Sequence, residues 1–141
     1  ITRLQNMGTP DYLISAAVSL ILAQRLARKT CTECRVSDPD ITPKALADFG
    51  FTVEQASRAK VQKGEGCPKC KDSGYKGRMG IYEILSVSKP IKEAILRKAT
   101  TPELKEIAMK EGFRTMQDMG RELILTGDLN FREFDRVLSM E

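Results

Sequence analysis

Four cysteines constrain this chain more than any other feature. Cys31, Cys34, Cys67 and Cys70 stand as two C-x2-C pairs separated by 32 residues. Two residues between cysteines let both sulfurs point into one tight turn, whose backbone N–H groups can hydrogen-bond the thiolates. Two such turns brought together place four sulfurs at the corners of a tetrahedron, the geometry Zn²⁺ accepts at a structural site. Other uses of paired cysteines fit less well. Disulfides need an oxidising compartment, and residues 1–10 have neither the basic start nor the apolar core of a secretion signal. A C-x-x-C redox site is ordinarily a single pair opening a helix after a strand. Iron–sulfur clusters commonly draw their cysteines from tighter runs. The expectation is one structural zinc per chain, bound by Cys31, Cys34, Cys67 and Cys70, with no open position for catalysis.

The second pair sits in "GCPKCKDSGYKGRMGIYE", Gly66 to Glu83, which adds Gly74, Gly77 and Gly80. These glycines are expected to turn the chain sharply out of the metal-binding turn, with positive φ where needed. A strand is expected just after, over "RMGIYEILSVS".

The rest of the chain reads as helix. Thr9-Pro10-Asp11 has the order of a helix start, and a buried helix is expected from Pro10 to Lys29, with Arg25, Arg28 and Lys29 complementing its C-terminal dipole. Its longest largely apolar stretch, 12–23, is too short to cross a bilayer, so no transmembrane segment is expected. Two short helices are expected between the cysteine pairs, one from Thr42-Pro43 to Gly50 and one opened by a Thr52/Gln55 capping box. Four more are expected at the C-terminal end: from Ser88-Pro90 to Lys98, from Thr101-Pro102 to Gly112, over 115–126, and from Asn130 to Leu138, the last with a capping box closed by Glu133. The fold class expected is mostly α, with a small four-cysteine zinc subdomain, one short β segment and a C-terminal helical bundle.

Charge narrows the partners only slightly. Residues 25–80 carry 12 Lys/Arg against 7 Asp/Glu, and residues 81–141 carry 10 against 11. A basic excess around the cysteines suits an acidic surface, though a solvated face with no charged partner accounts for it equally well. A nucleic-acid-binding zinc ribbon would interleave aromatics with the lysines, and only Tyr75 lies near the second pair, so nucleic acid is not expected. A chaperone-type zinc domain would need several C-x-x-C-x-G-x-G repeats, and "CTECRVSD" holds no glycine. Catalysis is not expected from this stretch alone: it has no histidine, no G-x-x-x-x-G-K-[ST] loop and no G-x-G-x-x-G.

Taken in order, "ITRLQNMG", "AQRLARKTC" and "GCPKCKDSGYKGRMGIYEIL" resemble the C-terminal part of the secretion and type IV pilus assembly ATPases. The resemblance implies a piece of a larger cytoplasmic motor, a homo-hexamer peripheral to a bacterial inner membrane. That motor would bind ATP and Mg²⁺ through Walker motifs, acidic boxes and a histidine box upstream, so no catalytic residue carries over here. It would drive type IV pilus assembly, or type II secretion, by passing ring motion to an inner-membrane platform protein. "ISAAVSLILAQRL" leans toward pili. The implied division is 1–30 as the tail of the ATPase core, 31–80 as the tetra-cysteine subdomain and 81–141 as a C-terminal helical domain. Gln24 and Arg25 match the family's Q-R-L segment, and Tyr75, Gly77 and Arg78 its G-Y-x-G-R. Gln24, Arg25, Tyr75 and Arg78 are therefore expected at an interface. The stand-alone zinc-ribbon module, binding nucleic acid or protein, is the alternative.

Overall fold

The computed structural model describes residues 1–138, and its largest departure from expectation comes early. Helix α1 (Thr2–Asn6) and helix α2 (Asp11–Ala17) are followed by an eleven-residue strand, β1 (Leu20–Thr30), where a helix to Lys29 was expected. Val18 is already extended, with φ −86° and ψ 117°. A nearly continuous apolar run cannot by itself separate buried helix from strand. Pairing separates them. The strand expected further along, β4 (Tyr75–Ser86), is twelve residues long and needs main-chain partners along its length; β1 supplies them. Arg28 and Lys29 therefore stand on a strand, with no helix dipole to complement.

The two strands run antiparallel. Val87 N–H donates to Ser19 O (2.9 Å) near one end, and Cys31 N–H to Gly74 O (3.0 Å) at the other. Between these pairs β4 carries one more residue than β1. Within β4, Gly77 holds a φ of +81°. A second antiparallel sheet joins β2 (Arg35–Ser37) to β3 (Gln62–Gly64), with Val36 opposite Lys63. So two two-stranded sheets replace the single β segment expected. Helices outnumber strands but hold less than half of the described residues, so the mostly-α expectation is met only in part: α3 (Pro43–Asp48), α4 (Val53–Arg58), α5 (Lys89–Leu96), α6 (Thr101–Lys110), α7 (Met116–Leu125) and α8 (Phe131–Leu138) follow α1 and α2.

Two compact units form, neither continuous in sequence. The first combines Ile1–Ala23 with Glu83–Thr115. In it α2 packs on α5 and α5 on α6, around Ile14, Val87, Ile91, Ile95 and Leu104. Helix α5 begins where expected, because Ser88 Oγ accepts the Ile91 N–H. Its buried residues Ile91, Ala94 and Ile95 follow the i, i+3, i+4 pattern of one helix face. The second unit combines Gln24–Tyr82 with the segment from Met116 onward. Its core holds Leu46, Phe51, Ile81, Ile124, Leu129 and Phe134, with Phe49 edge-on to Phe131 at 4.5 Å. The last four helices are thus divided: α5 and α6 belong to the first unit, α7 and α8 to the second.

Candidate metal centre

Each cysteine pair sits in a turn that links the two sheets. Cys31 and Cys34 lie between β1 and β2; Cys67 and Cys70 lie between β3 and β4, the latter pair in a 3₁₀ turn at Pro68–Cys70. The β1–β4 ladder fixes Cys31 opposite Gly74. The β2–β3 ladder fixes Arg35 opposite Gly64, so residues just after Cys34 meet residues just before Cys67. The two turns therefore face each other because both of their flanks are hydrogen-bonded.

The sulfurs converge. All four Sγ atoms lie within 4.8 Å of one another, with Cys31–Cys67 at 3.9 Å, Cys34–Cys70 at 3.8 Å and Cys67–Cys70 at 3.7 Å. Four sulfurs at about 2.3 Å from a tetrahedral zinc would be about 3.8 Å apart. The cluster has that size, and no pair is joined as a disulfide. Cys31 and Cys70 are buried and the other two half-buried. Four thiols at tetrahedral spacing, with no oxygen or nitrogen ligand among them, fit a closed zinc site.

Main-chain donors favour thiolate in the second turn. Burial opposes charge on Cys70, but N–H groups of Gly74 and Cys67 donate to its sulfur, and together with the neighbouring thiols they bring its pKa down to about 6. At Cys34 burial prevails over the Gly66 N–H and pushes the thiol up to about 12. A bound dication reverses that penalty, since coordinated thiols are deprotonated.

Glycines make the approach possible, though not all of those singled out in the sequence. Gly64 and Gly74 cross so closely that a Cβ on Gly64 would lie 2.1 Å from Gly74 O. Gly66, at φ +104°, turns the chain into the second cysteine pair. Gly80 lies inside β4 beneath the Tyr82 ring and makes no turn. The bend after Cys70 is made partly by Lys71 and Asp72, which are left-handed at φ 53° and 58°.

A polar network stands directly behind the turns. Tyr75 is half-buried; its hydroxyl accepts from Asn130 Nδ2 at 2.9 Å, and its ring lies under the Arg28 guanidinium, 4.0 Å from the centroid. Asn130 Oδ1 accepts the Glu133 N–H at 2.8 Å, the helix cap expected from the sequence. The Glu133 side chain does not close a capping box. It is fully buried and accepts from Arg28 N (2.9 Å), Nε (3.0 Å) and Nη2 (2.7 Å), and from Arg136 Nε (2.9 Å) and Nη2. Burial raises its pKa, but these donors hold it at about 2. Of the other residues expected at an interface, Arg25 donates to Val137 O, while Gln24 and Arg78 are exposed. Sequence reasoning missed the Arg28–Glu133–Arg136 cluster. Its signal was an acid four residues before Val137, on the apolar side of α8, with arginine at i+3.

The model of the type II/IV secretion system protein family matches residues 1–136. This chain belongs to that family. It is 39% identical over 134 residues to the type IV pilus assembly ATPase PilB of Thermus thermophilus, an overlap of 94% of this chain and 15% of that protein. It is 36% identical over 137 residues to the PilB of Pseudomonas aeruginosa, covering 97% of this chain and 24% of the relative. The type II secretion system protein E of Klebsiella pneumoniae is 34% identical over 137 residues, 97% of this chain and 26% of the relative. The chain thus spans about a quarter or less of the length of these curated relatives. Among the described residues no helix is long and apolar enough to cross a membrane.

Proposed function

We propose that this chain is the zinc-binding and C-terminal part of a hexameric cytoplasmic ATPase that powers type IV pilus assembly, with type II secretion as the neighbouring role within the same family. The observation that carries the reading is a four-sulfur cluster at zinc spacing in a chain of the secretion family that is similar to several pilus assembly ATPases. Nucleotide and Mg²⁺ would be bound by the rest of such a motor. Exposure in the first unit favours its being part of a larger body: among the described residues, nine of the twelve exposed large hydrophobics, Met7, Tyr12, Leu20 and Leu22 among them, belong to it.

Zinc, when bound, supplies a cross-link between the two turns and no chemistry on substrate. The protein supplies the ligands Cys31, Cys34, Cys67 and Cys70, main-chain donors to the sulfurs and a hydrogen-bonded ladder on either side. Such a cross-link makes rigid a lobe too small to do so by apolar burial alone. A rigid lobe can pass ring motion to an inner-membrane platform protein or to a neighbouring subunit. Gln24 and Arg78, both exposed, are the residues offered to that contact; Arg25 and Tyr75 shape it from behind. The first test is metal content. Protein purified without chelator is expected to carry one zinc per chain, and four freely titrating thiols with no metal would end the reading.

A further inference from the structure

Resting on the zinc reading, we propose that Arg28, Tyr75, Asn130 and Glu133 form the outer support of the metal centre, so that metal binding and the seating of α8 on β1 are thermodynamically linked. The contacts form a closed circuit. Cys31 N–H donates to Gly74 O (3.0 Å), and Ser73, the residue before Gly74, donates its Oγ–H to Cys70 O (2.6 Å). Gly74 is followed by Tyr75, which holds Asn130; Asn130 caps α8 through the Glu133 N–H. Glu133 returns to Arg28 through three bonds, one of them to the main chain of β1. Two residues further along β1, Thr30 N–H donates to Asp128 O (2.9 Å), in the turn before α8, and Cys31 comes next.

No arm of this circuit is redundant. The Glu133 carboxylate has no solvent exposure, so a loss of Arg28 alignment leaves a buried charge short of donors. The inward position of Tyr75 is set by two contacts, the Arg28 face on its ring and the Asn130 amide on its hydroxyl. Both turns that bear the cysteines leave strands held by these residues. A metal that pins the turns therefore pins β1 against α8, and a well-seated α8 pre-places Cys31 and Gly74. Linkage of this kind is reciprocal: whatever the metal adds to the seating of α8, the seating adds to metal affinity. Outer partners of metal ligands commonly govern affinity by 10–100-fold.

The test uses the full-length protein, with zinc affinity measured by competition against a chromogenic chelator. Glu133→Gln is expected to weaken zinc about tenfold, and Tyr75→Phe, which removes only a hydroxyl, about fivefold. In the converse measurement, stripping zinc from the unsubstituted protein is expected to speed amide hydrogen exchange over 131–138. If Glu133→Gln fails to fold, Tyr75→Phe and the exchange experiment decide. A Tyr75→Phe affinity within twofold of the unsubstituted protein, or exchange in α8 unmoved by zinc removal, overturns the proposal. Failure of the zinc reading itself looks different, because the unsubstituted protein would then take up no metal.

Discussion

Glu133 is the most demanding side chain in the second unit, a carboxylate with no exposure on a helix that buries Phe134, Val137 and Leu138. It is tolerated because five donors surround it. Its folded pKa of about 2 lies below the ordinary 4.5, so its stabilisation is present above about pH 4.5 and is lost as pH falls toward 2. Both arginines are about half exposed and partly screened, which leaves a contribution of about 2 kcal/mol. Acid titration of thermal stability should show the unsubstituted protein losing that increment between pH 4.5 and 2, with Glu133→Gln lacking it. Lys98 presents the opposite case. It follows α5 in the left-handed conformation, φ 57°, where its N–H reaches Ile95 O and glycine is the usual occupant. Lys98→Gly should raise stability by about 1 kcal/mol, read as a higher denaturation midpoint. Local chemistry of this scale was legible in the sequence. Thr42, Thr52 with Gln55, Ser88 and Asn130 all cap the helices their positions announced, since each bond spans only three residues. The Glu133 side chain was not legible, because its partner Arg28 lies 105 residues away.

At the scale of elements, the strands do what no helix at 10–29 could have done. An apolar stretch as unbroken as Leu13–Ala23 satisfies a buried helix and a buried strand alike, and only the demand of β4 for a partner distinguishes them. The cysteine spacing, by contrast, was sufficient to place four sulfurs together, because two C-x2-C turns have few other ways to be used. The ladder that joins β3 to β2 explains Gly64 and Gly66, upstream of the second cysteine pair, whose role no local pattern announces. Gly64→Ala drives a Cβ into the Gly74 carbonyl, and neither backbone can yield without parting the turns. A loss on the order of 3 kcal/mol is expected, with weakened metal retention in the same protein. Gly77→Ala meets nothing within 4 Å and should lose only about 1 kcal/mol from its positive φ. Chemical denaturation of the pair would separate close approach from backbone strain.

At the scale of the whole molecule, the sequence was read as consecutive segments, but the chain assembles from interleaved ones. Boundaries drawn along the sequence follow composition, and nothing in composition records that α5 and α6 join α2 while α7 and α8 join the metal-bearing unit. The basic face of the proposed motor lobe lies beside the second cysteine pair. Lys69 is exposed and pairs with Glu33 at 3.2 Å, and exposed beside it are Lys71, Lys76 and Arg78. Reversing those three to glutamate should leave zinc content unchanged and reduce pilus extension in the native bacterium; unchanged extension would remove this face from the proposed contact with the platform. The turn at Cys67–Cys70 also bears on the order in which the chain folds. Its N–H···S bond of 3.2 Å closes within three residues, while Cys31 must meet Cys67 across 36. Local closure costs far less chain entropy than the distant one. A nascent chain can therefore hold half of its metal site ready before the strands that complete the other half have found each other.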